Sequence, residues 1–496
     1  MPEEKSSHNL SARAAALEAL ARVDEGSGLL RDELHDLFKH FDIEPRDRGL
    51  ALQLAAGAIR HRRTLRLIVS HLRGGHGREG AIQPPLRRIL ELGALQLLFL
   101  DRVPAYAVVN EAVQAARLTA GKRSGDKAAG FVNGVLRGLG RLIAGRDPEG
   151  RPARDALPHP DGGVVRLKAP VLPEPKDSRA AFLGAAYSFP DWLVARWLAA
   201  FGDRAEKLCR WSNRRPHVFA RVNPMRKFYL APGEYTGGRA AQGEPSAVRP
   251  PVYSPGAKYN QGARPGMNSP GAEYEPGARP GPIDVSAIDP ERLDTLLAEG
   301  SLTVQDPSAM LAVEALGPKP GENVLDLCAS PGTKTTQIVE AMGDRGRVVA
   351  CDRSEGKLAP VRETVAARGL ASVAVCLSDE VASVAPQGGF DAALVDAPCS
   401  NTGVLARRVE ARWRLRPEDL VDLPRIQGEL LARAAGLVRP GGRVVYSTCS
   451  LEREENDEVI GRFLNENPAW RLVRSDLVLP GPDHDGAFWA VLARAF

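Results

Sequence analysis

From residue 301 to the end of the chain, short apolar runs alternate with helical patterns, and this alternation constrains the fold most. The runs VLDLC (324–328), RVVACD (347–352), VAVCLSD (373–379), FDAALVDAP (390–398) and GRVVYSTC (442–449) read as strands. Helices are predicted near 335–342, 355–368, 424–438 and 454–466, and FWAVLARAF closes the chain as a last strand. Strands that are apolar along their whole length must be covered on both faces, and intervening helices imply parallel pairing. Residues 301–496 are therefore predicted to form an α/β Rossmann-like domain with a parallel sheet. Ligands of such sheets lie beyond the carboxyl ends of the strands.

The loop after the first strand is CASPGTK, comprising Cys328, Ala329, Ser330, Pro331, Gly332, Thr333 and Lys334. Gly332 permits a turn and a close approach to ligand, and the helix that follows offers amides to an anionic group. The loop matches neither GxGxxG nor Walker A, which disfavours a dinucleotide or ATP. Asp352, 26 residues after Asp326, ends the second strand, where a carboxylate can accept from both ribose hydroxyls of a nucleoside. Asp379 ends the third strand, where it can face an adenine ring, and Asp396 ends the fourth. Any one of these can be a turn or helix cap. Together they indicate a nucleoside-cofactor site.

Two further strand-end loops carry cysteines: Cys399 in DAPCSNTG and Cys449 in YSTCSLEREEN. A lone cysteine is usually a small buried hydrophobe. Two at equivalent positions beside a nucleoside pocket suggest chemistry. Of the nine histidines only His484 lies in this region, which argues against a Cys–His protease arrangement. A thiol attacking an electrophilic ring fits better, because thiolate is nucleophilic even at a small ionised fraction. The other cysteines are Cys209, Cys328, Cys351 and Cys376; there is no CxxC pair, and neither a disulfide framework nor a structural metal is expected. A polar N-terminus and no apolar run of membrane-spanning length lead to the expectation of a soluble, cytoplasmic chain with no membrane partner.

Residues 10–145 show helical spacing, as in Phe131, Val132, Val135, Leu136 and Leu139, and are assigned with the N-terminus to one helical domain, 1–145. Residues 146–180 are rich in Pro, Gly and charge and are read as a linker. Residues 181–300 form a small connecting part, with a helix containing Trp192, Leu193 and Trp197 and a strand over 218–223. Within it, 226–282 carries a 15-residue repeat, SPGAKYNQGARPG from Ser254 and SPGAEYEPGARPG from Ser269, too dense in Pro and Gly to bury a core. The chain's net charge is +5, yet residues 51–150 hold 16 Lys/Arg against 7 Asp/Glu. The excess includes Arg60, Arg62, Arg63, Arg66, Arg73, Arg78, Arg87, Arg88, Lys122, Arg123 and Lys127. It is either a solvated helical surface or a face for a polyanion.

VLDLCASPGTKT, DAPCSNTGVL and VYSTCSLEREEN resemble motifs of the RsmB/Sun-type RNA (cytosine-5)-methyltransferases. VPAYAVVNEAV and FVNGVLRGLGR resemble their NusB-like RNA-binding domain. The likeness covers nearly the whole chain except the linker and the repeat insertion. It implies an all-α NusB-like domain followed by a methyltransferase domain, with S-adenosylmethionine along residues 328–334, Asp352 on its ribose, Asp379 near its adenine and Asp396 where cofactor and base meet. It implies Cys449 as nucleophile, Cys399 assisting product release and Lys334 helping to hold the base. The implied partner is RNA, in the first place small-subunit rRNA, acted on by a monomer without a metal. A tRNA substrate, a non-catalytic RNA-binding scaffold and a methyltransferase acting on protein or DNA are the alternatives. Two positions depart from the family pattern. Thr333 replaces a glycine, where a β-branched residue would crowd a positive-φ backbone, and Asn401 replaces a glycine, where Asn tolerates the left-handed region. In ARRVEARWRLR, Arg407, Arg408, Arg412 and Arg414 are candidates for phosphate, and Trp413 for stacking or, more simply, core packing.

Overall fold

The computed structural model describes residues 6–26, 28–74, 82–101, 103–226, 228–229, 273–274 and 281–496. Internal contacts divide the chain into two units: Met1–Arg215 with Leu405–Arg414, and Pro216–Val404 with Leu415–Phe496.

Among the described residues, the first unit carries six helices up to residue 142: α1 (Ala12–Asp24), α2 (Leu30–His40), α3 (Pro45–Arg60), α4 (Arg62–Leu72), α5 (Pro84–Phe99) and α6 (Ala105–Leu142). Ser11 caps α1 by accepting from the Ala14 amide, and α1 buries Ala12, Ala15, Ala16, Ala19, Leu20 and Val23 at helical spacing. Helix α5 is the apolar centre, buried almost continuously from Ile89 to Phe99. A Cβ on Gly93 would come within 2.8 Å of the Leu136 methyl groups, so α5 and α6 pack closely at this glycine. Helix α6 breaks at Gly121, whose φ of 70° lies outside helical space.

Residues 146–180 differ from the expected linker. Ile143–Asp147, Val164–Leu167 and Ala156–Pro158 form a three-stranded antiparallel sheet in that order. Leu157, Val164, Val165, Leu167 and Leu172 bury its apolar side. Pro and Gly there turn the chain between short strands rather than leaving it open. Three more helices, α7 (Arg179–Tyr187), α8 (Asp191–Phe201) and α9 (Arg204–Asn213), complete this unit instead of a separate connecting part.

Leu405–Arg414 folds with this unit, and this overturns part of the phosphate reading. Arg412 is fully buried. It donates to Asn213 Oδ1 at 2.7 Å and to the carbonyls of Ser212 (2.9 Å), Leu405 (3.1 Å), Arg60 (3.2 Å) and Ser188 (3.4 Å), and lies 4.2 Å from the Phe189 ring. Trp413 packs, its indole donating to Ile59 O at 2.8 Å, and Arg414 donates to Gly28 O. Arg408 stays exposed. The basic segment is likewise partly consumed internally. Arg60 is buried, Arg62 and Arg88 pair with Asp24, Arg63 with Asp191 and Arg66 with Glu91. Lys122, Arg123 and Lys127 are exposed, and Arg78 lies outside the described residues.

The second unit begins with a small antiparallel sheet, Leu302–Val304, Phe219–Val222 and Ile283–Asp284, in that order. Both copies of the 15-residue repeat lie outside the described residues apart from Glu273–Tyr274, which pairs antiparallel with Phe228–Tyr229. The main sheet has seven strands: β1 (Asn323–Asp326), β2 (Arg347–Asp352), β3 (Val373–Leu377), β4 (Phe390–Asp396), β5 (Val438–Thr448), β6 (Trp470–Val478) and β7 (Ala487–Arg494). Their order is 3-2-1-4-5-7-6. The first five are parallel, whereas β7 runs antiparallel to both β5 and β6. The sheet is thus mixed. A short connection folds β6 back on β7 as a hairpin, which is necessarily antiparallel. Strand β6 is an edge strand with residues 471–476 exposed, so it lacks the apolar run that marks the others. The helix Pro307–Leu316 precedes β1, the helices Thr333–Met342 (α10), Glu355–Arg368 and Asp419–Leu437 lie between successive strands, and all four pack against the sheet. The strand order reverses between β1 and β4, the switch point at which a ligand crevice forms.

Candidate active site

The loop leaving β1 is pinned by main-chain bonds to its neighbours. Leu327 N donates to Leu394 O (3.0 Å), Ala329 N to Cys351 O (2.9 Å) and Ser330 N to the Asp352 carboxylate (3.3 Å). Positive φ falls on Gly332, at 103°, and Thr333 is already the first residue of α10. The β-branched side chain at Thr333 therefore meets ordinary helical backbone, and the expected crowding does not arise. The Ser330–Pro331 bond is cis. Cys328 sits in a loop ringed by carboxylates. Burial first, then Asp326, Asp352 and Asp396, push its thiol up to about 12.

Four strand-end acids are treated differently. Asp326 is buried: Oδ2 accepts from Thr335 Oγ1 at 2.7 Å, while Oδ1 is buried with no hydrogen-bond partner among the described residues. Burial outweighs the Thr335 bond and, with the charges of Asp396 and Asp352, lifts its carboxyl to about 7. Asp352 is buried, accepting from Arg353 N (2.7 Å) and lying 3.4 Å from Lys357 Nζ. Asp379 stands exposed on the turn Ser378–Glu380 that follows β3. Asp396 takes Lys334 Nζ at 2.5 Å and Ser447 Oγ at 2.8 Å. Burial opposes the Lys334 charge, but the contact with Asp396 dominates and holds the ammonium above its ordinary range. The glycine-turned loop, the strand-end carboxylates and the half-open Lys334–Asp396 pair give this edge the polar groups that suit a ligand at the carboxyl ends of the strands.

The two cysteines meet. Cys399 Sγ and Cys449 Sγ are 3.1 Å apart, and both are free thiols. The contact with Cys449, then burial, then the negative charges of Cys449 and Glu455 push the Cys399 thiol well above its usual range. Asn401 takes φ 64°, donates to Cys399 O (2.8 Å) and accepts from Cys449 Sγ (3.4 Å). The left-handed geometry read for this position is present, and the amide in addition touches the second thiol. Cys209, Cys351 and Cys376 are buried, and burial raises each thiol. They behave as core residues.

The two cysteine loops are interlocked by groups that sequence reasoning passed over. Gly403 N donates to Cys449 O at 2.9 Å and Leu451 N to Thr402 Oγ1 at 2.9 Å. A Cβ on Gly403 would lie 2.7 Å from Gly486 O and 2.8 Å from Cys449 O, so this crossing requires glycine. Beneath them Glu455 is fully buried. Its Oε1 accepts from Ser400 N (2.8 Å) and Gln427 Nε2 (2.9 Å), and its Oε2 from the hydroxyls of Ser400 and Ser450. The one available signal is that each cysteine is followed by serine, with EREEN (452–456) one residue beyond the second pair. Among the described residues no cluster of His, Cys, Asp and Glu can hold a metal, and no helix is long and apolar enough to cross a membrane.

Comparison with known proteins agrees with this geometry. Residues 313–483 match the family described as 16S rRNA methyltransferase RsmB/F, residues 10–141 the NusB family, and residues 189–228 the ferredoxin-like domain of RsmF/B-like methyltransferases. The chain is 32% identical over 93% of its length to a probable ribosomal RNA small subunit methyltransferase B of Synechocystis, covering 91% of that protein. It is 30% identical over 92% of its length to the Bacillus subtilis protein of the same description, covering 89% of it. The solved structure of PH0851 shares the fold at a TM-score of 0.66 and 23% identity, over 99% of this chain and 100% of that one. With two cysteine loops in contact at the carboxyl edge of the sheet and kinship along nearly its whole length, the chain belongs to the RsmB/F family of 16S rRNA methyltransferases.

Proposed function

We propose that this enzyme methylates carbon 5 of a cytidine in small-subunit ribosomal RNA, using S-adenosylmethionine and a covalent Cys449 intermediate. The observation that carries the reading is the Cys399–Cys449 contact, 3.1 Å, at the ends of β4 and β5 beside the Lys334–Asp396 pair. The relatives' description as small-subunit methyltransferases favours rRNA over tRNA. Residues 328–334 would cradle the cofactor, Asp352 would accept from its ribose and Asp379, exposed on the turn after β3, would reach its adenine. S-adenosylmethionine, when bound, supplies the methyl group as an electrophile.

Carbon 5 of cytosine is a poor nucleophile. The Cys449 thiolate adds to carbon 6, forming a carbon–sulfur bond and placing electron density on carbon 5, which takes the methyl group. A base then removes the carbon 5 proton, the carbon–sulfur bond breaks, and its electron pair returns to Cys449. Cys399, whose thiol is pushed well above its usual range, lies 3.1 Å from the Cys449 sulfur, close enough for its S–H to stabilise that sulfur as it leaves. Lys334 and Asp396 orient the base. The cytidine must stand clear of any helix to meet both thiols, so a single-stranded or flipped nucleotide is the substrate.

The test is methyl transfer from labelled cofactor to purified small-subunit rRNA and to bulk tRNA, with bisulfite sequencing of the product. The expected result is one new 5-methylcytosine in the rRNA. Label confined to tRNA would contradict the substrate assignment, and no transfer to either would contradict the activity.

A further inference from the structure

Glu455 is a fully buried carboxylate that the reaction above does not use. The donors that reach its side chain, Ser400, Ser450 and Gln427, are all neutral. A buried carboxylate without a cation is expensive, and an amide of the same shape would be the cheaper structural choice. Its position relative to the thiols is specific. Ser400 directly follows Cys399 and Ser450 directly follows Cys449, and their hydroxyls lie 3.0 Å apart on the same carboxylate oxygen. The other oxygen holds the Ser400 amide and Gln427, which also donates to Pro398 O at 2.9 Å. Tyr446 OH donates to the Glu455 carbonyl at 2.6 Å, which ties this turn to β5. Hence one acid is bonded to the residue after each cysteine, and the cysteine loops can move apart only by breaking bonds to it.

We infer that Glu455 is a positioning residue that, through Ser400 and Ser450, sets the separation of Cys399 and Cys449 so that one base meets both thiols. This rests on the two-cysteine reading above. The groups that bear on the thiols are Cys449, Glu455 and Tyr446 around Cys399, with Lys334 and Asp396 on the Cys449 side. Since the Glu455 charge raises the Cys399 thiol, removing that charge lowers it, and the limb of the pH profile governed by Cys399 moves to lower pH.

The experiment uses the full chain with RNA containing 5-fluorocytidine to trap the adduct, and ordinary RNA to follow release. Cys449→Ala tests the underlying reading by itself: if that variant still traps RNA, the two-cysteine reading fails whatever Glu455 does. With trapping lost in that control, Ser450→Ala is expected to slow adduct formation roughly 10-fold or more, the scale of a displaced nucleophile. Ser400→Ala is expected to leave adduct formation within about threefold and to accumulate adduct on ordinary RNA. Glu455→Ala should impair both steps with cofactor affinity unchanged. Glu455→Gln, whose amide can reproduce the contacts because the serine hydroxyls rotate, should recover adduct formation and show the pH displacement. The inference is overturned if Ser400→Ala and Ser450→Ala depress the two steps equally, if Glu455→Gln is as impaired as Glu455→Ala, or if Glu455→Ala leaves both rates at wild-type values. Should Glu455→Ala not fold, the two serine variants and Glu455→Gln decide the matter.

Discussion

The cofactor-side loop after β1 and the paired cysteine loops after β4 and β5 sit on one sheet edge but are built in opposite ways. The first is pinned by main-chain bonds to β2 and β4 and leaves polar side-chain capacity unspent, with Asp326 Oδ1 unpaired and Asp352 only partly satisfied. The second spends nearly all its polar groups internally, on a network of Ser400, Thr402, Ser450, Gln427 and Glu455 in which the three hydroxyls and both Glu455 oxygens are bonded and only Gln427 Oε1 is left without a partner among the described residues. Unspent capacity suits a site that a ligand completes. A nearly closed network suits a site where two reactive atoms must hold one separation with or without ligand.

Variants in the two loops should fail in different ways. The largest expected effect is that of Cys449→Ala, which should lower methyl transfer on the order of 10⁴–10⁶-fold while leaving cofactor affinity intact. Asp352→Ala should do the reverse, weakening cofactor binding roughly 10- to 100-fold by calorimetry with adduct trapping on fluorinated RNA less affected. Gly403→Ala forces a Cβ against two carbonyls beside this network and should cost about 1–3 kcal/mol in denaturant unfolding. For Asp326 the expectation is a pH dependence. Its folded carboxyl, near 7, lies above the unfolded value, so the stability it contributes is complete below the unfolded value and is lost as pH rises through about 7. Asp326→Asn should therefore flatten the fall in stability between roughly pH 4 and pH 7, a window set by those two values. An unchanged slope would contradict the burial argument.

Strand-end residues were legible in the sequence because apolar strands announce their own ends. Asp352, Asp396, Cys399 and Cys449 all follow such runs. Glu455 was not legible, since a carboxylate in EREEN reads as surface charge until the serines of two distant loops converge on it. Strand β6 was missed because an exposed edge carries no continuous apolar signal. Arg412 misled for a related reason. Charge in a loop suggests solvent or phosphate, whereas here five carbonyl and amide oxygens surround the guanidinium in a fully buried site. Composition also misled over residues 146–180, where Pro and Gly mark turns between short paired strands.

In the proposed reaction Cys449 attacks the base while Cys399 stands 3.1 Å from it as a thiol. The most direct test is peptide mass spectrometry of the enzyme trapped on 5-fluorocytidine RNA with cofactor present. The account predicts a nucleotide adduct on the peptide containing Cys449 and none on the peptide containing Cys399. An adduct on Cys399, or none on either, would contradict it.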